Sequence, residues 1–125
     1  MSQTWGSQIT AQSSQTGTAD TRVTAGQTEL DNDSGGNIAG AVDLSVELDV
    51  TTPPSTATHV KLYAEYWQNS TKWSEPKHVG TFRNVGTAAQ EYHENVAVVA
   101  VKTKLSWEPI GYGLTATLSV RAATL

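Results

Sequence analysis

The chain has no cysteine among its 125 residues. A disulfide framework, a thiolate nucleophile and a cysteine-ligated metal are therefore all excluded. Charge is also scarce, because only 16% of the residues are Asp, Glu, Lys or Arg and the net charge is −4. The lysines and arginines form no cluster in the sequence, so nothing in it would attract a phosphate backbone, and we expect no binding to nucleic acid.

Long apolar runs are missing as well. No stretch approaches the length that crosses a bilayer, so we expect no membrane partner. The first twenty residues, MSQTWGSQITAQSSQTGTAD, have neither a basic start nor an apolar core. They therefore lack the features of a signal peptide, and we expect the protein to be made and assembled in a cytoplasm.

What the sequence does contain is the alternation typical of β-strands. In AVDLSVELDV, residues 41–50, apolar and polar side chains alternate without a break. A period of two residues predicts a strand with one buried face, whereas a helical period of 3.6 residues appears nowhere. The residues predicted to face the core from this strand are Val42, Leu44, Val46, Leu48 and Val50.

Other segments also predict strands. HVKLYAEYW, residues 59–67, places Val60, Leu62, Ala64 and Tyr66 on one face. VAVVAVKTKLSW, residues 96–107, is apolar at both parities in part, which predicts one long strand covered on both faces. The remaining candidates are a strand near Trp5–Ala11, one near Thr21–Thr28, one at Lys77–Arg83, and LTATLSVRA with Leu114, Ala116, Leu118, Val120 and Ala122 inward.

These segments add up to about seven or eight strands by pattern rules. Breaker-rich connections such as TTPPST and EPIGYG separate some of them. Short strands at this spacing predict an all-β fold, a single antiparallel β-sandwich that is jelly-roll-like or Ig-like. We expect this sandwich to occupy residues 20–125.

Residues 1–19 predict an extended polar N-terminal arm. They are mostly Ser, Thr and Gln, with apolar residues at Trp5 and Ile9. Polar residues at this density cannot bury enough surface to form a core of their own. We therefore expect Trp5 and Ile9 to bind the chain's own domain or a neighbouring subunit.

No catalytic apparatus is visible in the sequence. His59, His78 and His93 are isolated from one another, and the adjacent His93 and Glu94 would face opposite sides of a strand. No serine has the strand–turn–helix setting of a nucleophile elbow, and no glycine-rich phosphate loop occurs. We expect the protein not to be an enzyme and to require no cofactor.

One segment, DNDSGGN at residues 31–37, resembles the beginning of a calcium-binding loop. Asp31, Asp33 and Asn37 supply oxygen ligands at suitable spacing. The position where an EF-hand loop needs a bidentate Glu is Val42, however, which the pattern assigns to a strand. The alternative is a wide turn in which Asp and Asn bind their own backbone, and it is the interpretation we favour.

Tyr63, Trp67 and Trp73 are candidates for an exposed aromatic group. Tyr63 and Trp67 share the face opposite the predicted core residues of their strand, and Trp73 follows after the short polar segment QNST. Three roles fit such a group: packing within the chain, including cover by the N-terminal arm; contact with another subunit; and stacking on a sugar.

The order of segments resembles a group of small virion proteins of tailed bacteriophages. The resemblance runs from TWGSQITAQSS through AGAVDLSVELDVTTPPSTATHVKLYAEYW and KHVGTFR to LTATLSVRAA, and so covers most of the chain. Where such proteins often have a Ser-x-Asp-Gly turn, this chain has Gln68-Asn69-Ser70-Thr71.

The resemblance implies a structural role in the virion. The expected function is that of a capsid decoration (cement) protein that stabilises the outside of the head, with the major capsid protein or other virion proteins as partners. It also implies a homo-oligomer, with a trimer favoured, and supplies no catalytic residue. Two alternatives stay open: a receptor- or carbohydrate-binding module of a tail or fibre, and a free-standing carbohydrate-binding domain.

Overall fold

A computed structural model describes residues 4–69 and 71–125, and all of its regular structure is β-strand. None of the described residues forms a helix that is long and apolar enough to cross a membrane. The strands are β1 (Thr4–Trp5), β2 (Ile9–Gly17), β3 (Leu30–Asp31), β4 (Ala41–Thr52), β5 (Thr58–Asn69), β6 (Lys72–Trp73), β7 (Lys77–Val85), β8 (Gln90–Ala97), β9 (Lys102–Pro109) and β10 (Leu114–Thr124).

The strands form two antiparallel sheets. In the first sheet β10 pairs with β4, β4 pairs with β8, and both β1 and β2 pair with the free side of β10. In the second sheet β5 lies between β9 and β7, while β3 extends the β9 side and β6 pairs with the end of β5. The prediction of an all-β sandwich is confirmed.

The core lies between the two sheets and follows the predicted alternation. Leu44, Val46, Leu48 and Val50 of β4 are buried, although Val42 at its start is only half-buried. The predicted inward residues of β10 are all buried as well. From the second sheet the core receives Val60, Leu62, Ala64, Phe82, Val85, Leu105 and Trp107, with Tyr66 packed at its margin.

The prediction of one long strand over residues 96–107 is wrong. Strand β8 ends at Ala97 and β9 begins at Lys102, and residues 98–101 carry the chain from the first sheet to the second. The apolar run exists for a different reason, because Val98 packs against the core while Val99 and Val101 are exposed. A corner between sheets and a doubly covered strand give the same apolar pattern.

The predicted strand at Thr21–Thr28 is also absent from the described structure. This segment crosses between the sheets and makes only isolated bridges, Val23 to Trp107 and Gln27 to Gln12. The fully buried Gln12 side chain holds it in place, since Nε2 donates to the carbonyl oxygens of Val23 and Ala25, each at 3.0 Å. The Gln12 side chain thus binds backbone carbonyl groups of this segment that a neighbouring strand would bind in a regular sheet.

The extended N-terminal arm is not confirmed. Residues 1–3 lie outside the described residues, and the remainder runs along the edge of the first sheet as β1 and β2. Strand β2 pairs with β10 from Ile9 opposite Val120 to Gly17 opposite Leu114. Ala11 and Gln12 are buried there. A strand of small residues needs little apolar surface of its own when its neighbour already belongs to the core.

The sandwich has two ends that differ in character. One end holds β1, the start of β4, residues 98–101 and the C-terminus, since Thr124 pairs with both Thr4 and Ala41. We call it the apolar end, for reasons given below. The opposite end holds the connections at residues 53–57, 86–89 and 110–113.

Candidate binding surfaces

Exposed hydrophobic side chains are concentrated at the apolar end. Among the described residues, five large hydrophobic side chains are exposed, and only Tyr112 lies at the opposite end. The other four are Trp5 (47% exposed), Val99 (66%), Val101 (49%) and Leu125 (72%). Contiguous exposed apolar surface marks an interaction site more reliably than single exposed residues do.

Strand pairing places these residues, which are far apart in the sequence, at one end of the sandwich. A single row of the first sheet runs from Trp5 through Ala123 and Asp43 to Ala97. Three strand spacings separate its ends, which is about 14 Å. Val99 follows Ala97 at the corner and Leu125 follows Thr124, so both continue from this row beyond the end of the sheet.

Trp5 and Ile9, predicted together as anchors, have different surroundings. Trp5 pairs with Ala123 at the sheet edge and is half exposed. Ile9 pairs with Val120, an inward residue of β10, and packs against the core. Ala123 follows the inward residue Ala122, so its side chain is on the outer face of the sheet. It is nevertheless fully buried, and it is not part of the main core cluster. The residues opposite it on that outer face are Trp5 and Asp43.

Trp67 and Trp73 lie directly opposite each other on β5 and β6. Their ring centroids are 5.0 Å apart at an interplanar angle of 70°, an edge-to-face arrangement. Lysines contact both rings: Lys102 Nζ is 5.4 Å from the Trp67 centroid and Lys104 Nζ is 4.3 Å from that of Trp73. The structure therefore covers Trp67 with the chain's own side chains. Ser70, which stands between Trp67 and Trp73 in the sequence, lies outside the described residues.

Tyr63 belongs to a different contact group. Its hydroxyl donates to Glu108 Oε1 at 2.9 Å, and its ring lies 5.6 Å from the His78 ring. Desolvation raises the pKa of Tyr63, and the hydrogen bond and negative charge of Glu108 raise it further, with Arg22 opposing. Burial alone raises the pKa of Tyr66. The predicted aromatic group is therefore two groups, with Tyr63 separate from the tryptophan pair.

Arg22 is a residue that the sequence patterns did not single out. Its Nη1 lies 2.8 Å from Glu65 Oε1 and donates to Ser106 Oγ at 2.9 Å. Ser106 is buried and Glu65 is largely covered. This contact fixes the crossing segment on the outer face of the second sheet. No signal in the local sequence reports it, because the three residues come from separate segments.

The calcium-loop candidate has the geometry of a wide turn. Asp31 Oδ1 accepts from the Asp33 amide at 2.9 Å, and Asn37 Oδ1 accepts from the Asp31 amide at 2.8 Å. Asp33 Oδ1 accepts from the next amide, that of Ser34. A Cβ on Gly36 would lie 2.1 Å from the Asp31 carbonyl oxygen, so only glycine fits. The side-chain oxygens of Asp31, Asp33 and Asn37 thus accept hydrogen bonds from the segment's own backbone amides and stabilise the turn, as the alternative interpretation predicts.

Glu47, Glu91 and His93 form a group that sequence reasoning missed. Their donor atoms lie within 4.8 Å of one another on the outer face of the first sheet. His93 Nε2 is 3.2 Å from Glu47 Oε1, and Gln8 Nε2 donates to Glu47 Oε2 at 3.0 Å. Carboxylates with an imidazole are ligand types for transition metals. The spacing of Glu91 and His93, two residues apart on one strand, could have indicated that their side chains share a face. The pairing of β4 with β8 brings Glu47 next to them, and the local sequence does not predict that pairing.

No protein-family model matches this chain, and a comparison with curated proteins finds no match.

Proposed function

We propose that this protein is a non-enzymatic structural protein of a bacteriophage virion, a capsid decoration protein that binds the outer surface of the head through its apolar end. The observation that carries the proposal is the concentration there of four of the five exposed large hydrophobic side chains among the described residues. The resemblance in segment order supplies the class of partner, the major capsid protein.

The exposed side chains at the apolar end suit attachment to a larger assembly. Protein interfaces concentrate their binding free energy in a few large side chains, of which tryptophan is among the commonest. Trp5 supplies such a side chain, and Val99, Val101 and Leu125 add exposed apolar area at the same end of the sandwich. The two packed sheets provide a rigid support. In a homo-oligomer, favoured as a trimer, simultaneous engagement of several copies would turn weak contacts into stable attachment.

The experiment that tests this proposal uses substitutions at the apolar end. Deleting the first twelve residues would remove β1 and the buried Ala11 and Gln12, so loss of binding would be confounded with loss of folding. We instead expect Trp5→Ser combined with Val99→Ser to weaken binding to heads of the encoding phage about tenfold or more. Binding is measured by co-sedimentation, and the melting temperature of the heads reports stabilisation.

The matched control is Tyr112→Ser, which removes the exposed aromatic at the opposite end. It should bind heads like the unmodified chain, and both variants should keep the β-sheet circular dichroism spectrum. Equal binding by the Trp5→Ser, Val99→Ser variant and the unmodified chain would refute attachment through the apolar end. Failure of the unmodified chain to bind heads would refute the decoration role itself.

A second candidate function is carbohydrate or receptor binding, either in a tail or fibre or as a free-standing module. The observation that favours it is an open depression of about 390 Å³ beside Trp73, lined also by Asn69, Lys72 and Glu75. A neutral glycan that stacks there should change tryptophan fluorescence, and Trp73→Ala should abolish the change. An unresponsive glycan panel would remove this candidate.

A further inference from the structure

The second sheet carries four cationic side chains without a partner among the described residues. Of the eight lysines and arginines, Arg22, Lys102, Lys104 and Arg121 are held by carboxylates, aromatic rings or a carbonyl oxygen. The other four, Lys61, Lys72, Lys77 and Arg83, make no side-chain ion pair or hydrogen bond with another described residue. Of these, Lys61 and Arg83 lie together at a β-bulge, in a protein of net charge −4.

Lys61 and Arg83 line an open depression of about 580 Å³ at the opposite end from Trp5, on the second sheet. His59 and Thr81 contribute further polar walls, and Lys61 pairs across the strands with Thr81. We call this region the cationic depression. Its other lining residues are Ala57, Thr58 and Asn84. The volume is within the range of small-molecule sites, about 300–1,000 Å³.

A β-bulge shapes the cationic depression. Thr58 pairs with Val85 and Val60 pairs with Phe82, so β7 has one residue more than β5 in this interval. Arg83 and Asn84 together oppose the single residue His59. Asn84 has a φ of 55°, a left-handed conformation that Asn tolerates better than most residues. Bulges re-aim side chains and are common beside functional sites.

The lining residues select for an oxyanion. Arg83 offers a planar fork of N–H donors that matches a carboxylate or phosphate, and Lys61 adds a second positive charge. The nearest acidic residue in register is Glu108, opposite Lys61 on β9, and its carboxylate accepts the Tyr63 hydroxyl. A bound anion would therefore meet two cations whose charges are offset by no carboxylate within ion-pair distance among the described residues.

The same lining argues for a saccharide over a protein as the carrier of the anion. Ala57 is the largest purely apolar side chain in the wall, so a protein partner would find no pocket for the apolar anchor that interfaces need. Thr81 and Asn84 instead offer hydroxyl and amide groups, which suit the hydroxyls of a sugar ring.

We propose that the cationic depression binds the carboxylate or phosphate group of an acidic saccharide. Arg83 holds the oxyanion in a bidentate manner, Lys61 binds it from the neighbouring strand, and Asn84 and Thr81 contact ring hydroxyls. The proposal does not rest on the capsid role, because the depression lies at the other end of the sandwich from the surface assigned to the head.

The test is an NMR titration of the full chain with glucuronic acid and with glucose 6-phosphate at low ionic strength, with glucose as the neutral reference. Both acids should shift the amide signals of residues 58–61 and 81–84, and glucose should bind about tenfold more weakly or not at all. Lys61→Ala combined with Arg83→Ala should lose at least about tenfold in affinity. The matched control, Arg121→Ala, removes an exposed cation from the first sheet, away from both depressions, and should bind as the unmodified chain does.

Three results would overturn the proposal. The first is binding of neither acid more tightly than glucose. The second is unchanged affinity of the Lys61→Ala, Arg83→Ala variant while its amide spectrum remains that of a folded protein. The third concerns the carrier: if inorganic phosphate equals glucose 6-phosphate, or if a polyglutamate peptide exceeds both acids, the saccharide assignment is wrong.

Discussion

The two sheets of this sandwich present similar faces to the core and different faces to solvent. The strands of the first sheet carry five carboxylates and one arginine, a net charge of −4. Those of the second carry three carboxylates and six lysines or arginines, a net charge of +3. The second sheet also carries the Trp67–Trp73 pair and the cationic depression.

The comparison assigns the stability of the fold to the inward residues, which are alike on the two sheets, and the difference between the two surfaces to the outward residues. Inward residues on both sheets are aliphatic or aromatic, and burial of apolar area stabilises each in the same way. Outward residues on the first sheet are mainly Ser, Thr and acids, whereas several of those on the second, including Glu65, Trp67 and Lys104, make ion pairs or ring contacts. Four predictions would break or sharpen the comparison.

The largest effect is expected in the core, where the two sheets should behave alike. Leu48 of β4 and Leu62 of β5 are both fully buried. Leu48→Ala and Leu62→Ala should each lower the free energy of unfolding by about 2–5 kcal/mol, through lost burial and the cavity left behind. Urea unfolding measures both. A loss below about 1 kcal/mol for either leucine would show that its sheet does not share the common core.

The next effect concerns the contact between sheets at the edge strand β2. A Cβ on Gly17 would lie 2.7 Å from Cζ3 of the buried Trp107 ring. Gly17→Ala should therefore cost about 1–3 kcal/mol through overpacking. Gly6→Ala, whose nearest contact would be an ordinary 3.6 Å, is the control on the same edge. Equal melting temperatures for the two variants would contradict the packing of β2 against Trp107.

Smaller effects are expected on the outer faces, and there the sheets should differ. Trp73→Ala removes an edge-to-face ring pair and a lysine contact, so we expect a loss of about 1–2 kcal/mol. Thr117→Ala, on the outer face of the first sheet, should change the stability by less than about 0.5 kcal/mol. Thermal unfolding of the two variants compares them directly. If Thr117→Ala were the more destabilising, the outer faces would have been assigned the wrong way round.

The smallest effect is a pH dependence located in the second sheet. Burial raises the pKa of Tyr66 above its ordinary value of 10.0, so the folded protein favours the neutral hydroxyl. The resulting stability is present below pH 10 and is lost as the pH rises from there through the pKa of the folded state. Tyr66→Phe should remove part of the alkaline loss of unfolding free energy. Parallel curves for the two proteins between pH 9 and 12 would exclude this contribution.

The sequence was most informative where a strand has one face in the core. The alternation over Leu44–Val50 and Leu114–Ala122 predicted which residues are buried, because the side-chain period of a strand is fixed by backbone geometry. It was least informative at residues 98–101, where the apolar residues serve a corner. It also failed at Gln12, whose burial depends on two carbonyl groups that arrive from residues 23 and 25.

The candidate surfaces were predictable only in fragments. Trp5, Trp67 and Trp73 stood out as aromatic residues, but the direct opposition of Trp67 and Trp73 is an observation of the structure. The gathering of Trp5, Val99, Val101 and Leu125 at one end did not follow, nor did the meeting of Lys61 with Arg83. Those contacts require the register between strands far apart in the chain.

By itself, then, the sequence determined the all-β class, the inward faces of the strands and the turn at residues 31–37, since each depends on local backbone geometry and near neighbours. The tertiary structure alone decided that β1 and β2 would pair with β10 at the edge of the first sheet, that Trp67 would be covered by Trp73 and Lys102, and that the two ends would differ. The physical reason is that pairing between distant strands sets which side chains meet. A register shift of one residue would move every outward residue of a strand to the other face.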